Sequence, residues 1–132
     1  MKGIARWFML LALISVLAGM VWGIQMSASK DHLLSPAHGH LNLLGWVSCS
    51  IFAFYYHVLP GASVGLLPRL HLAGSVLTLL LLVPGIPLAI LERTEVLAQI
   101  GSLVALASMA IFAAVVLHGT PAQSRETVPQ GG

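Results

Sequence analysis

Charge is what this sequence has least of. Six Lys or Arg and four Asp or Glu are spread over 132 residues, 8% in all, where a soluble domain carries about a quarter. That scarcity excludes water as the main solvent of the surface. Acidic groups are missing from every apolar stretch, because Asp31, Glu92, Glu95 and Glu126 all fall in connections or at ends, so no interior carboxylate is available to carry protons. One cysteine, Cys49, inside an apolar segment, excludes an intrachain disulfide and reads as a small buried residue. A pI near 9.1 rests on a surplus of two basic groups and makes no basic face, which excludes nucleic acid as a partner. What is present is apolar: 58% of residues are hydrophobic and the mean hydropathy is +0.94.

A bilayer span needs about 20 mainly apolar residues. Four stretches qualify, at about 7–24, 40–59, 70–91 and 96–117, and the expected fold is an all-α integral membrane four-helix bundle. Residues 1–119 form its single domain, and 120–132, with Pro121, Pro129 and a terminal Gly pair, read as a disordered cytoplasmic tail. The first stretch has signal-peptide traits in Lys2, Arg6 and Ser27-Ala28-Ser29, but its apolar core of about 18 residues exceeds the usual 7–15, so it is retained as a helix. Lys2, Arg6, Arg69 and Arg125 fall on one side and Lys30 and Arg93 on the other, which places both termini in the cytoplasm. Pro84 and Pro87, deep in the third span, predict a kink near Val83–Pro87. Gly101, Ser102, Ala105, Ser108 and Ala110 make the fourth span's packing face.

Ionisable groups inside a membrane are costly, so six histidines in such a chain draw a functional reading. Depth sorts them into two layers about 25 Å apart at 1.5 Å per residue. His32, His38 and His40 lie toward the outer face; His57, His71 and His118 lie at the inner ends of their spans. The inner three read as helix-end caps or headgroup-level side chains, with a shared metal as the alternative. His38 and His40, at 100° per residue, project about 200° apart and cannot ligate one ion from a regular helix. They suit two different partners, and Gly39 between them leaves room for a flat ligand. Haem with imidazole axial ligands fits; so does a helix turn that merely carries two histidines, and spacing alone leaves both open.

The run Ala37-His38-Gly39-His40-Leu41-Asn42-Leu43-Leu44-Gly45-Trp46, followed by Tyr55-Tyr56-His57-Val58-Leu59-Pro60, resembles a histidine-bearing helix of the haem-copper oxidase superfamily, especially the large subunit of nitric oxide reductases. There a late helix carries His-x-His, the first histidine on the high-spin haem and the second on the low-spin haem. An earlier helix carries His-x-Asn-Leu-Leu, similar to His40-Leu41-Asn42-Leu43-Leu44, whose histidine is the other low-spin ligand. The family core is twelve helices in three pseudo-symmetric groups of four, and both helices come second in their group. For a four-helix chain with the motif on its second helix, the resemblance implies a homotrimer resembling that core. It further implies haem b held between protomers by His38 of one copy and His40 of the next, and residence in the inner membrane of a bacterium. The likeness covers about 25 residues; beyond it only helix count and order agree.

The family's reductases have further histidines that hold copper or non-haem iron beside the haem, and this chain offers only His71 on its third span, at the wrong end. A complete oxidase or reductase centre is therefore not evident. The expected function is haem b binding for electron transfer or for binding or sensing a diatomic gas. His38 and His40 are the axial ligands, and Asn42, one turn from His38, offers a supporting hydrogen bond or, equally, an interhelical polar contact without haem. Trp46, Tyr55 and Tyr56 read as interfacial anchors, with lining a haem as the alternative. Two alternatives stand beside it: a copper or other metal site on His32, His38 and His40, or a cofactor-free assembly partner of a respiratory complex.

Overall fold

The computed structural model describes residues 1–118; the expected tail at 120–132 lies outside them. Four helices make up the described chain: α1 (Gly3–Ser29), α2 (Ser35–Val58), α3 (Leu67–Ile90) and α4 (Val96–His118), with a short 3-10 turn at Pro60–Ser63. Each is long and apolar enough to cross a bilayer, and the chain is a multi-pass membrane protein. Side chains on the outer surface agree with that solvent, since Trp7, Ile14, Leu103 and Leu106 are all more than 60% exposed.

The helices outrun the apolar stretches that announced them. α2 begins at Ser35, so the His38-Gly39-His40 triplet lies inside the helix instead of opening it. Pro36 stands in the first turn, where its missing N–H had no intrahelical partner to lose and its fixed φ suits a helix start. α1 ends at Lys30 in the left-handed conformation, φ 57°. The Ser29 hydroxyl then accepts from the Asp31 N–H at 3.3 Å and the Asp31 carboxylate from the Leu33 N–H at 3.0 Å, which turns the chain into α2. α3 stays helical through Pro84 and Pro87 to Ile90. Gly85, between the two prolines, lies directly against the backbone of α4: a Cβ there would stand 2.7 Å from the Ala98 nitrogen. The neighbouring helix thus supports the segment in which proline withdraws hydrogen bonds.

Lipid tails are as apolar as leucine, so helices associate here through close fit and interhelical polar contacts, not through flight from water. α1 packs mainly on α2, and α3 mainly on α4. The buried stripe of α1 is Ala5, Phe8, Ala12, Ser15, Gly19 and Met26, at the three-and-four spacing of one helix face. Its middle is made of small residues, which lets the two backbones approach. Of the small residues expected to pack on α4, Gly101 and Ser108 are buried and Ala105 half-buried, whereas Ser102 and Ala110 are exposed.

Candidate functional site

α2 is not one regular helix. Its first part, Ser35–His40, and its last, Cys49–Val58, are α-helical, and the residues between, Leu41–Ser48, form a π-helix. Such wide turns are rare and mostly brief. Here side chains support them: the Ser48 hydroxyl donates to the Leu43 carbonyl at 2.9 Å and the Cys49 thiol to the Leu44 carbonyl at 3.3 Å, both five residues back. Gly45 faces Ser15 of α1 so closely that a Cβ would collide with its hydroxymethyl. The π-helix starts directly after the histidine triplet.

His38 and His40 meet different surroundings. His38 is half-buried against α1. Its Nε2 lies 3.0 Å from the Gly19 carbonyl oxygen, which can only accept, so the imidazole donates from Nε2–H. Trp22 of α1 stands edge-on to the ring, 6.1 Å between centroids. Asn42 donates to the His38 carbonyl at 2.9 Å. Its amide nitrogen also lies 3.1 Å from Nε2, a donor facing a donor and so a contact, not a second bond. Gly19 and Gly23 of α1 create the space: a Cβ on Gly19 would stand 2.5 Å from Asn42 Oδ1, and one on Gly23 3.3 Å from His38 Nε2. Gly19-Met20-Val21-Trp22-Gly23 is a Gly-x-x-x-Gly pattern in an apolar helix, a close-approach signal legible in the sequence.

His40 is exposed. Its Nδ1 lies 2.8 Å from the Pro36 carbonyl oxygen one turn back, again an acceptor only, so the proton is on Nδ1. Nε2 is left with a free lone pair on an oriented ring. This is how metal-ligating histidines are usually held, with the second nitrogen donating to a carbonyl or carboxylate. The residues present therefore fit an axial ligand at His40. At His38 the lone pair is on Nδ1, so it fits an axial ligand through Nδ1 as it stands and through Nε2 only after that nitrogen leaves Gly19.

At the other end of the bundle the structure sets His71 apart from His57 and His118. The latter two are exposed at helix ends, whereas His71 has no exposed surface at all, and the expectation that it caps a helix or sits at headgroup level is corrected. Its ring stacks on Phe112, 5.0 Å and 25°, and meets Phe52 edge-on at 4.4 Å. Nδ1 lies 3.0 Å from the Tyr56 hydroxyl, and Nε2 has no partner. Tyr56, expected as an interfacial anchor, is likewise buried, 2% exposed. No group of three metal-ligating side chains occurs among the described residues, so neither the inner trio nor His32, His38 and His40 is gathered into a metal cluster within one chain.

A signal for His71 was present in the sequence. His71, Ser75, Thr78, Leu82 and Gly85 are all buried residues of α3 at helical spacing, and the first three make a polar stripe inside an otherwise apolar span. Compared with family models, with curated proteins and with solved structures, the chain matches none.

Proposed function

We propose that this protein binds haem b in the bilayer, with His40 as the axial ligand that each chain presents ready-made. One observation carries the reading: the His40 ring is exposed while its Nδ1–H is held by the Pro36 carbonyl at 2.8 Å, which leaves Nε2 both free and aimed by the helix. A solvated surface histidine needs no such orientation, and in lipid an unpaired nitrogen is costly unless something occupies it. The motif's resemblance to the oxidase and nitric oxide reductase large subunit supports the same ligand. When bound, haem supplies a one-electron couple or a site for a diatomic gas.

The oligomer belongs to this proposal. The partner iron ligand comes from His38 of a neighbouring copy, three chains forming a closed ring in the inner membrane of a bacterium with both termini cytoplasmic. Within a protomer, His38 is held to α1 through Nε2–H on the Gly19 carbonyl, and whether its imidazole binds the neighbouring iron decides between the two activities. A bis-histidine iron suits electron transfer to a respiratory partner; an iron with only His40 leaves a position open to a gas.

The test is the absorption spectrum of the detergent-purified protein after addition of haem b, oxidised and reduced, with the mass of the complex. Wild type should show a bound-haem Soret band and a trimeric mass, and His40→Ala should lose the band. A spectrum with no bound haem, or one indifferent to His40→Ala, rejects the reading. Copper bound at stoichiometric amount to protein without a Soret band would favour the metal alternative. His38→Ala should change six-coordinate iron to five-coordinate; an unchanged spectrum would remove His38 from the iron and the trimer sandwich with it.

A further inference from the structure

Charge is divided unevenly between the two ends of the bundle. Lys2, Arg6 and Arg69 stand at the end where α1 and α3 begin and α2 and α4 finish, whereas Asp31, Glu92 and Glu95 stand at the other, with Lys30 and Arg93. The first end is positive, and no carboxylate among the described residues offsets it. A cleft of about 470 Å³ opens there between the start of α1 and the end of α2, and Lys2, Tyr56, His57, Pro60 and Ser63 line it. That volume lies in the range of small-molecule sites, about 300–1,000 Å³, and is far more than a free inorganic anion fills.

Two side chains of the lining supply donors for an anion. Lys2 carries three N–H groups and no acceptor, and the His57 imidazole has an N–H in either tautomer. Ser63 adds none, because its hydroxyl donates to the Pro60 carbonyl at 2.6 Å. Arg6, about one helical turn from Lys2 and exposed, brings a second fixed positive charge to the same end of α1.

The surface that adjoins these donors is apolar. Pro60 and Ser63 belong to the connection Leu59–Leu66, which has no charged residue, and its Val64 and Leu66 are 77% and 68% exposed. Water would penalise that exposure, whereas the boundary between headgroups and acyl chains would not. Trp7, 62% exposed near the start of α1, is a side chain type that settles at the same level. Donors and exposed apolar surface thus meet at headgroup depth, and a phospholipid needs both.

We propose that this cleft holds one phospholipid of the surrounding leaflet, its phosphate oxygens accepting from Lys2 and His57 and its acyl chains lying against the Leu59–Leu66 connection. Head charge selects among lipids. A choline head would bring a cation among Lys2, Arg6 and Arg69, so a head of net negative charge, such as that of phosphatidylglycerol, binds in preference. Each Lys or Arg near the surface favours an anionic lipid by about fivefold in affinity. Neither His38 nor His40 takes part, so the assignment stands apart from the haem reading.

The test is native mass spectrometry of the full chain released from non-ionic detergent, with phosphatidylglycerol and phosphatidylcholine of the same acyl chains added at equal concentration. Phosphatidylglycerol should be retained at one per chain and preferred by on the order of tenfold. Lys2→Gln should weaken its retention about fivefold, and adding His57→Leu should weaken it further. Lys30→Gln removes the same charge at the opposite end and should change nothing. Equal retention of the two lipids would overturn the proposal, and equal weakening by Lys2→Gln and Lys30→Gln would overturn the cleft as its place. Displacement of phosphatidylglycerol by inorganic phosphate in tenfold excess would overturn the lipid in favour of a free anion.

Discussion

Gly19→Ala tests whether α1 holds the histidine helix by close approach. The added methyl would stand 2.5 Å from Asn42 Oδ1, 2.7 Å from Nδ2 and 2.9 Å from Cγ, distances that real carbon atoms do not tolerate. Inserting a methylene into a packed site costs about 1–3 kcal/mol. Displacing Asn42 forfeits its bond to the His38 carbonyl, and a polar contact of this kind in a membrane averages about 0.6 kcal/mol. Alanine in place of glycine in a helix returns about 1 kcal/mol. The sum is a net destabilisation of about 1.5 kcal/mol.

All three clashing atoms belong to one side chain, which makes the sign reversible. In an Asn42→Ala background they are gone, and the same Gly19→Ala change should stabilise through its helix propensity, giving a coupling of about 2.5 kcal/mol between the sites. Gly39 is the control, because a Cβ there meets nothing within 4 Å; Gly39→Ala should stabilise by up to about 1 kcal/mol in either background. The assay is reversible unfolding in mixed micelles followed by helical circular dichroism. Gly19→Ala acting with one sign in both backgrounds would refute the contact between α1 and Asn42, and with it the account of why His38 faces α1.

Gly85→Ala should be worse than Gly19→Ala, because its methyl would meet backbone, Ala98 N at 2.7 Å and Leu97 C at 2.9 Å, which cannot rotate away. A loss of about 3 kcal/mol would appear as a clearly lowered Tm, and an unchanged Tm would mean α3 and α4 are farther apart. Glu92, which follows α3 at φ 55°, should gain about 1 kcal/mol on replacement by glycine, the cost of left-handed backbone for a residue with a Cβ; a lower Tm for Glu92→Gly would count against that conformation.

Fold and site were legible to different depths. Four spans could be read because a bilayer demands about 20 apolar residues from any helix that crosses it, a requirement on composition that no tertiary contact can override. Helix ends were less visible. Hydropathy stops at the first polar residue, while the hydrogen-bonded helix runs on, and Pro36 in the first turn of α2 is a helix-start signal that hydropathy ignores. The depth of His71 was hidden for a related reason: its position five residues into α3 marks it as peripheral along the axis, but burial depends on which face it occupies, and Phe8, Phe52 and Phe112 come to that face from three other helices. The π-helix at Leu41–Ser48 left no trace in the sequence, since Leu, Val, Gly and Ser there suit an α-helix equally well.

The two triplet histidines differ most in the proton each carries. Two residues apart on the α-helical part of α2, they face different carbonyls: Gly19 across the helix interface fixes His38 with its proton on Nε2, and Pro36 within the helix fixes His40 with its proton on Nδ1. The lone pair is thus on Nδ1 in His38 and on Nε2 in His40, an asymmetry that the repeated His-x-His pattern does not suggest. An interhelical bond like that of His38 is worth about 0.6 kcal/mol on average in a membrane and at most about 1.7, so an unbound His38 ring would be outweighed only about three- to twentyfold. A neighbouring iron that binds His38 through Nε2 more tightly than this small margin would pull the ring across, whereas a diatomic ligand competing for the same position would leave it on Gly19. The coordination number would then report which of the two is present, and Gly19, through its carbonyl and its missing side chain, would set the balance between them.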